Sequence, residues 1–115
     1  MSGPRTLTGT LHFRDPAPVG AVVRLKVEDV SRIDAAAVTV AEATFRLDVA
    51  AAAGTRFPFN LVVQAVDGRA SYCVRAHIDT TGSNSVKGGD LVSTRAYPVL
   101  SSGAADTVDL EVHRV

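Results

Sequence analysis

Along most of this chain apolar and polar residues alternate with a period of two, the spacing that turns one side of an extended strand toward a core and the other toward solvent. From Thr6 to Arg14, Leu7, Gly9, Leu11 and Phe13 fall on one face and Thr8, Thr10 and His12 on the other. Asp15-Pro16-Ala17-Pro18 then ends the strand, because proline has no N–H to give a ladder. Between Ala21 and Val30 the alternation is sharpest, with Val23, Leu25 and Val27 against Arg24, Lys26 and Glu28. Val38 to Leu47 changes parity midway: Val38 and Val40 share one face, and Ala41, Ala43, Phe45 and Leu47 the other. A β-bulge near Ala41 reconciles the two halves.

A fourth strand carries Phe57, Phe59, Leu61 and Val63, and its Pro58 puts its beginning either at a sheet edge or before regular pairing starts. After an Asp67-Gly68 turn, Ala70 to Asp79 sets Tyr72, Val74, Ala76 and Ile78 opposite Cys73, Arg75 and His77. Thr80 to Asp90, rich in Gly, Ser, Thr and Asn, is the longest exposed loop. Leu91 to Val99, interrupted by Pro98, and Thr107 to His113 complete the set. The alanine runs 35–37 and 50–53 are too short for an independent helix. Seven strands with turns roughly every ten residues predict an all-β, antiparallel immunoglobulin-like sandwich, with a small, partly open β-barrel as the alternative. The expectation is a single domain over 1–115, its core spanning about 6–113.

Twelve basic residues balance twelve acidic ones, so no net field exists to hold a nucleic acid, and no apolar run is long enough to span a membrane. The start of the chain, Met-Ser-Gly-Pro-Arg-Thr-Leu, lacks the apolar segment of a signal peptide. The expectation is a cytoplasmic protein as the sequence stands, or a periplasmic or envelope protein if an export signal has been removed. Composition leaves the oligomeric state open.

Candidate chemistry is sparse. Cys73 and His77 share a strand face, but four residues of extended chain separate them by about 13 Å, too far for direct proton transfer. His12, His77 and His113 come from three strands and form no ligand-spaced cluster, although His12 and His113 would approach if the first and last strands were neighbours. The 79–90 loop has glycines able to wrap an anion and oxygens able to meet calcium, but neither Walker nor EF-hand order. Arg75, Arg95 and Lys87 form a possible basic spot. On this basis no catalytic, cofactor-binding or metal-binding residue is assigned, no cofactor is expected, and the chain is not expected to be an enzyme.

Three stretches have a familiar look: 25–34 (Leu-Lys-Val-Glu-Asp-Val-Ser-Arg-Ile-Asp), Phe57-Pro58-Phe59, and 72–78 (Tyr-Cys-Val-Arg-Ala-His-Ile) followed by 96–100 (Ala-Tyr-Pro-Val-Leu). In order and spacing they resemble the YbaY/YscW-type domain, the lipoprotein chaperone or pilotin of type III secretion, over roughly Leu7 to Val112. The resemblance implies a non-catalytic role at the bacterial envelope, where the pilotin branch binds a secretin subunit and helps it reach the outer membrane. It transfers no functional residues, and it offers no lipid-accepting cysteine at the start of this sequence, whose only Cys is Cys73. Within the motifs, Asp29 and Ser31 are expected to cap a strand end while Arg32 pairs with an acid. Tyr72 and Tyr97 are expected to bury their rings and keep their hydroxyls bonded.

The reading that follows is a binding or chaperone-like module. It would capture a protein or peptide segment through its end loops or by strand addition at an open edge, with the Pro-bearing fourth and sixth strands as the edges. The alternative is a small-ligand or metal-binding domain built on Cys73, His77 and the 79–90 loop.

Overall fold

The computed structural model describes residues 2–32, 34–67, 69–95, 97–100 and 106–115; Ile33, Gly68 and Ala96, named in the motifs above, lie outside these. The chain forms β1 (Ser2–Phe13), β2 (Val22–Asp29), β3 (Val38–Arg46), β4 (Arg56–Asp67), β5 (Tyr72–Asp79), β6 (Leu91–Val92), β7 (Tyr97–Val99) and β8 (Thr107–Arg114). Inward positions follow the alternation closely. Leu7, Leu11 and Phe13, then Val23, Leu25 and Val27, then Phe59, Leu61 and Val63 are buried, with Val74, Ile78, Leu110 and Val112 completing the same core. Each large side chain so buried contributes roughly 1.5–3 kcal/mol, which drives these segments together.

The parity change in β3 is a bulge. Val27 pairs with Ala41 but Glu28 with Thr39, so Val40 is the extra residue and the inward face switches from there to Ala41, Ala43 and Phe45. A second bulge lies in β4, where Arg5 pairs with Val63 and Gly3 with Val66; it returns Val66 to the core after Val63. Gly9 is inward and has no alternative: a Cβ there would sit 2.4 Å from the Phe59 ring and 2.7 Å from the Val108 carbonyl oxygen.

The immunoglobulin-like sandwich is not what forms, and the small, partly open barrel given as its alternative fits instead. The strands make one continuous sheet in the order β3-β2-β5-β6-β8-β1-β4, with β7 also on β5, and it rolls into a nearly closed barrel. Nor is the pairing all antiparallel, since β1 and β8 run parallel, Thr8 opposite Thr107 through Phe13 opposite Val112. A parallel pair needs a long connection, commonly a crossover helix. Here the whole intervening chain is the connection, because the paired strands are the first and the last.

The two end strands, β3 and β4, face each other without a ladder between them. Phe45 and Phe57 close one end of this seam with rings stacked at 5.1 Å, while Val38 and Val40 at the start of β3 stay exposed. Pro58 therefore does lie on an edge strand. The predicted sixth strand is not the other edge; it is broken into β6 and β7, which pair with opposite ends of β5. Between them Ser93 patches the break, its N–H donating to the Ala76 carbonyl at 3.0 Å and its Oγ accepting from the Ala76 N–H at 3.0 Å. Tyr72 and Tyr97 behave as expected, their hydroxyls accepting from the N–H groups of Asp67 and Glu111. So does the end of β2, where Asp29 accepts from the Ser31 N–H and Ser31 Oγ from the Ser71 N–H. Arg32, by contrast, makes no ion pair among the described residues.

Candidate functional site

The outer face of β2 and β5 carries Arg24, Lys26 and Glu28 beside Cys73, Arg75, His77 and Asp79, because these are the residues that alternation turns away from the core. Asp79 should be exposed by that rule. Instead it is 1% exposed, and Asp90, at the far end of the loop, is 0% exposed. The loop folds back over the end of β5 and turns its own backbone donors inward. Asp79 Oδ1 accepts from the N–H groups of Thr81 (3.1 Å) and Gly82 (2.8 Å), and its Oδ2 from Asn84 N–H (3.0 Å) and Arg24 Nη2 (3.1 Å). Asp90 Oδ1 accepts from Thr80 N–H and Oγ1, and its Oδ2 from Lys87 N–H and His77 Nε2, the last at 2.8 Å. Positive φ at Gly82 (74°) and Asn84 (67°) supplies the curvature that aims successive N–H groups at one carboxylate.

Burial pushes both carboxyl groups toward higher pKa, but the donors outweigh it. Asn84, Arg24, Gly82 and Thr81 hold Asp79 well below the usual carboxylate range, and His77, Thr80 and Lys87 lower Asp90 to about 2. Both are therefore anions at neutral pH, and His77 Nε2 donates to Asp90.

This arrangement decides between the readings of the loop. The N–H groups of Thr80, Thr81, Gly82, Asn84 and Lys87, which a phosphate cradle would draw on, go to the two aspartates. His77, Asp79 and Asp90 do bring ligand atoms within 4.8 Å of one another, a convergence the sequence concealed. Every oxygen of the two carboxylates already accepts at least two donors, Arg24 among those on Asp79, so the cluster as folded is a clamp for the loop. Cys73 is not part of it. Half-buried four residues from His77, the thiol has its pKa raised by burial and by Glu28 against the opposing pull of Arg75, which favours the protonated form. His12 and His113 do lie on neighbouring strands, but His113 faces Glu111 at 4.0 Å and no metal-ligand group forms there among the described residues.

What the clamped loop creates is a trough. A cavity of about 540 Å³ lies over β2 and β5, floored by Arg24, Lys26, Arg75 and His77 and walled by Val86 of the loop, Val92 of β6 and Val115. A second cavity of about 280 Å³, beside Cys73 and Arg95, shares Arg75 and Ser93 with it. Of the predicted basic spot, Arg75 and Arg95 share this second cavity, while Lys87 serves the loop through its backbone. No helix among the described residues is long and apolar enough to cross a membrane.

A rolled sheet with a trough of mixed basic and apolar lining, walled by a clamped loop, makes this a small β-barrel domain. The chain belongs to the YscW family: the family model for the type III secretion system lipoprotein chaperone matches residues 3–112. Among solved structures, an alternative pilotin from the type II secretion system of Vibrio cholerae has the same fold, with a TM-score of 0.77 and 24% identity over 97% of each chain. No curated protein matches the sequence.

Proposed function

We propose that this protein is a non-catalytic chaperone of a bacterial secretion system, working at the cell envelope, and that it holds a segment of a secretin-type subunit in the trough over β2 and β5. Membership of the lipoprotein-chaperone family and the pilotin fold support the role. The observation that carries the site is the trough itself. Its loop wall is fixed by two buried, fully bonded aspartates, so little ordering cost remains when a partner enters.

The test is binding of the purified protein to the purified secretin subunits of the same genome, followed by titration calorimetry. The expected result is saturable one-to-one binding that weakens at least about tenfold on Val86→Asp, which places a charge on the apolar wall. Absence of binding to every secretin subunit refutes the proposal. Strand addition is the second reading, favoured by the exposed Val38 (62%) and Val40 (36%) on a strand paired only on its β2 side. In that case Val86→Asp is silent and a proline at Thr39 abolishes binding.

A further inference from the structure

We infer that the trough selects an acidic segment of its client, one in which a glutamate or aspartate lies next to an aliphatic side chain. The inference rests on the trough being the client site and adds the chemistry of what enters it. Lys26 and Arg75 are directly opposed across the β2–β5 ladder. Residues so placed have Cβ atoms about 4.5–5.5 Å apart, and like charges in that relation repel. The carboxylates of the same face do not relieve them fully. Asp79 and Asp90 are buried beneath the loop and committed to it, and Glu28 bridges Arg75 at 3.3 Å, leaving the arginine 69% exposed. Lys26 makes no ion pair among the described residues, although Glu42 stands opposite it on β3.

Beside this pair, Arg24 spends one nitrogen on Asp79 while its Nε is buried with no acceptor among the described residues. The surface presented to a ligand is thus cationic along the floor. Within the same cavity Val86 and Val115 stand 53% and 58% exposed, an apolar rim next to the charges. A carboxylate between Lys26 and Arg75 removes their repulsion, and an adjacent aliphatic group covers the valines. A basic segment meets repulsion, and a purely apolar one leaves both cations desolvated.

The experiment uses two fluorescent synthetic peptides of alternating leucine and glutamate or leucine and glutamine, with anisotropy as the readout. The expected result is that the glutamate peptide binds at least about tenfold more tightly than its glutamine counterpart in 50 mM salt, and that the difference collapses in 0.5 M salt. Lys26→Gln with Arg75→Gln should abolish the preference. Lys26→Arg with Arg75→Lys, which keeps both charges, should retain it and controls for folding. Equal affinity for the two peptides overturns the inference. So does phosphatidylglycerol-vesicle binding with the same Lys26 and Arg75 dependence in the absence of peptide binding.

The two proposals fail separately. Secretin binding that ignores the double glutamine variant sinks the acidic-segment inference and leaves the chaperone reading standing. Selective binding of the glutamate peptide without any secretin partner does the reverse.

Discussion

Replacing Asp79 by alanine tests whether the loop is clamped in the way described. The carboxylate accepts from three backbone N–H groups and from Arg24, and the substitution strands all four donors. Removing one partner of a buried ion pair costs about 3–5 kcal/mol, but Arg24 is 23% exposed and water can reach part of it, so about 2–3 kcal/mol is the fair expectation. Near this chain length each kcal/mol shifts the melting temperature by about 4 °C, which gives a fall of roughly 8–12 °C. Asp79→Asn sharpens the test. It keeps the shape and one acceptor oxygen, but its amide nitrogen must face Arg24 or Asn84, donor against donor, and about 2 kcal/mol should still be lost.

The two assays are thermal unfolding followed by circular dichroism and amide exchange. The amides of Gly82 and Asn84, protected in the wild type by Asp79, should exchange at loop rates in both variants. The sign of the pH effect follows from the depressed carboxyl pKa. Asp79 contributes its stability above the unfolded value of about 3.9 and loses it as pH falls toward the lower folded value. The gap between wild type and Asp79→Asn should therefore be full at pH 7 and shrink below about pH 4. A melting shift under about 2 °C, with those two amides still slow to exchange, would refute the clamp.

Asp90, lowered to about 2, makes wild-type stability level from pH 7 to about 5 and falling between about pH 4 and 2, and Asp90→Asn should flatten part of that acid limb in a urea series against pH. Gly9→Ala pushes a methyl into the Phe59 ring and the Val108 carbonyl, and should destabilise by about 1–3 kcal/mol in urea denaturation. Tyr97→Phe leaves the Glu111 N–H without its acceptor and should cost about 1–2 kcal/mol by the same measure, with β7 amides deprotected first. Phe45→Ala removes the ring stack that closes the seam, and hydrogen exchange should show β3 opening well before the β1–β4 pair.

Much of the strand content was legible in the alternation alone. Leu7 to Phe13, Val23 to Val27, Tyr72 to Ile78 and Leu110 with Val112 face the core as their parity predicts, because burial acts on each residue through the two-residue repeat of its own strand. The parity break at Val40 betrayed the bulge, and Pro58 betrayed the β4 edge, since each is a local violation with a local cause. The resemblance to the lipoprotein-chaperone family was carried by short motifs, and the family match over 3–112 bears it out.

Whether the strands split into two sheets or rolled into one was decided only in three dimensions. Alternation says which way a side chain points and nothing about which strand lies beside it, so the parallel pairing of β1 with β8, which replaces the sandwich with a barrel, left no mark in the pattern. The same limit hid the two aspartates. Parity turned Asp79 toward solvent, and no property of residues 80–90 announced that the loop would fold back and spend its N–H groups on carboxylates at both of its ends. Periodicity is set by near neighbours in the chain, whereas the trough depends on Arg24, His77 and Val86 meeting across long stretches of sequence, and that meeting belongs to the tertiary structure alone.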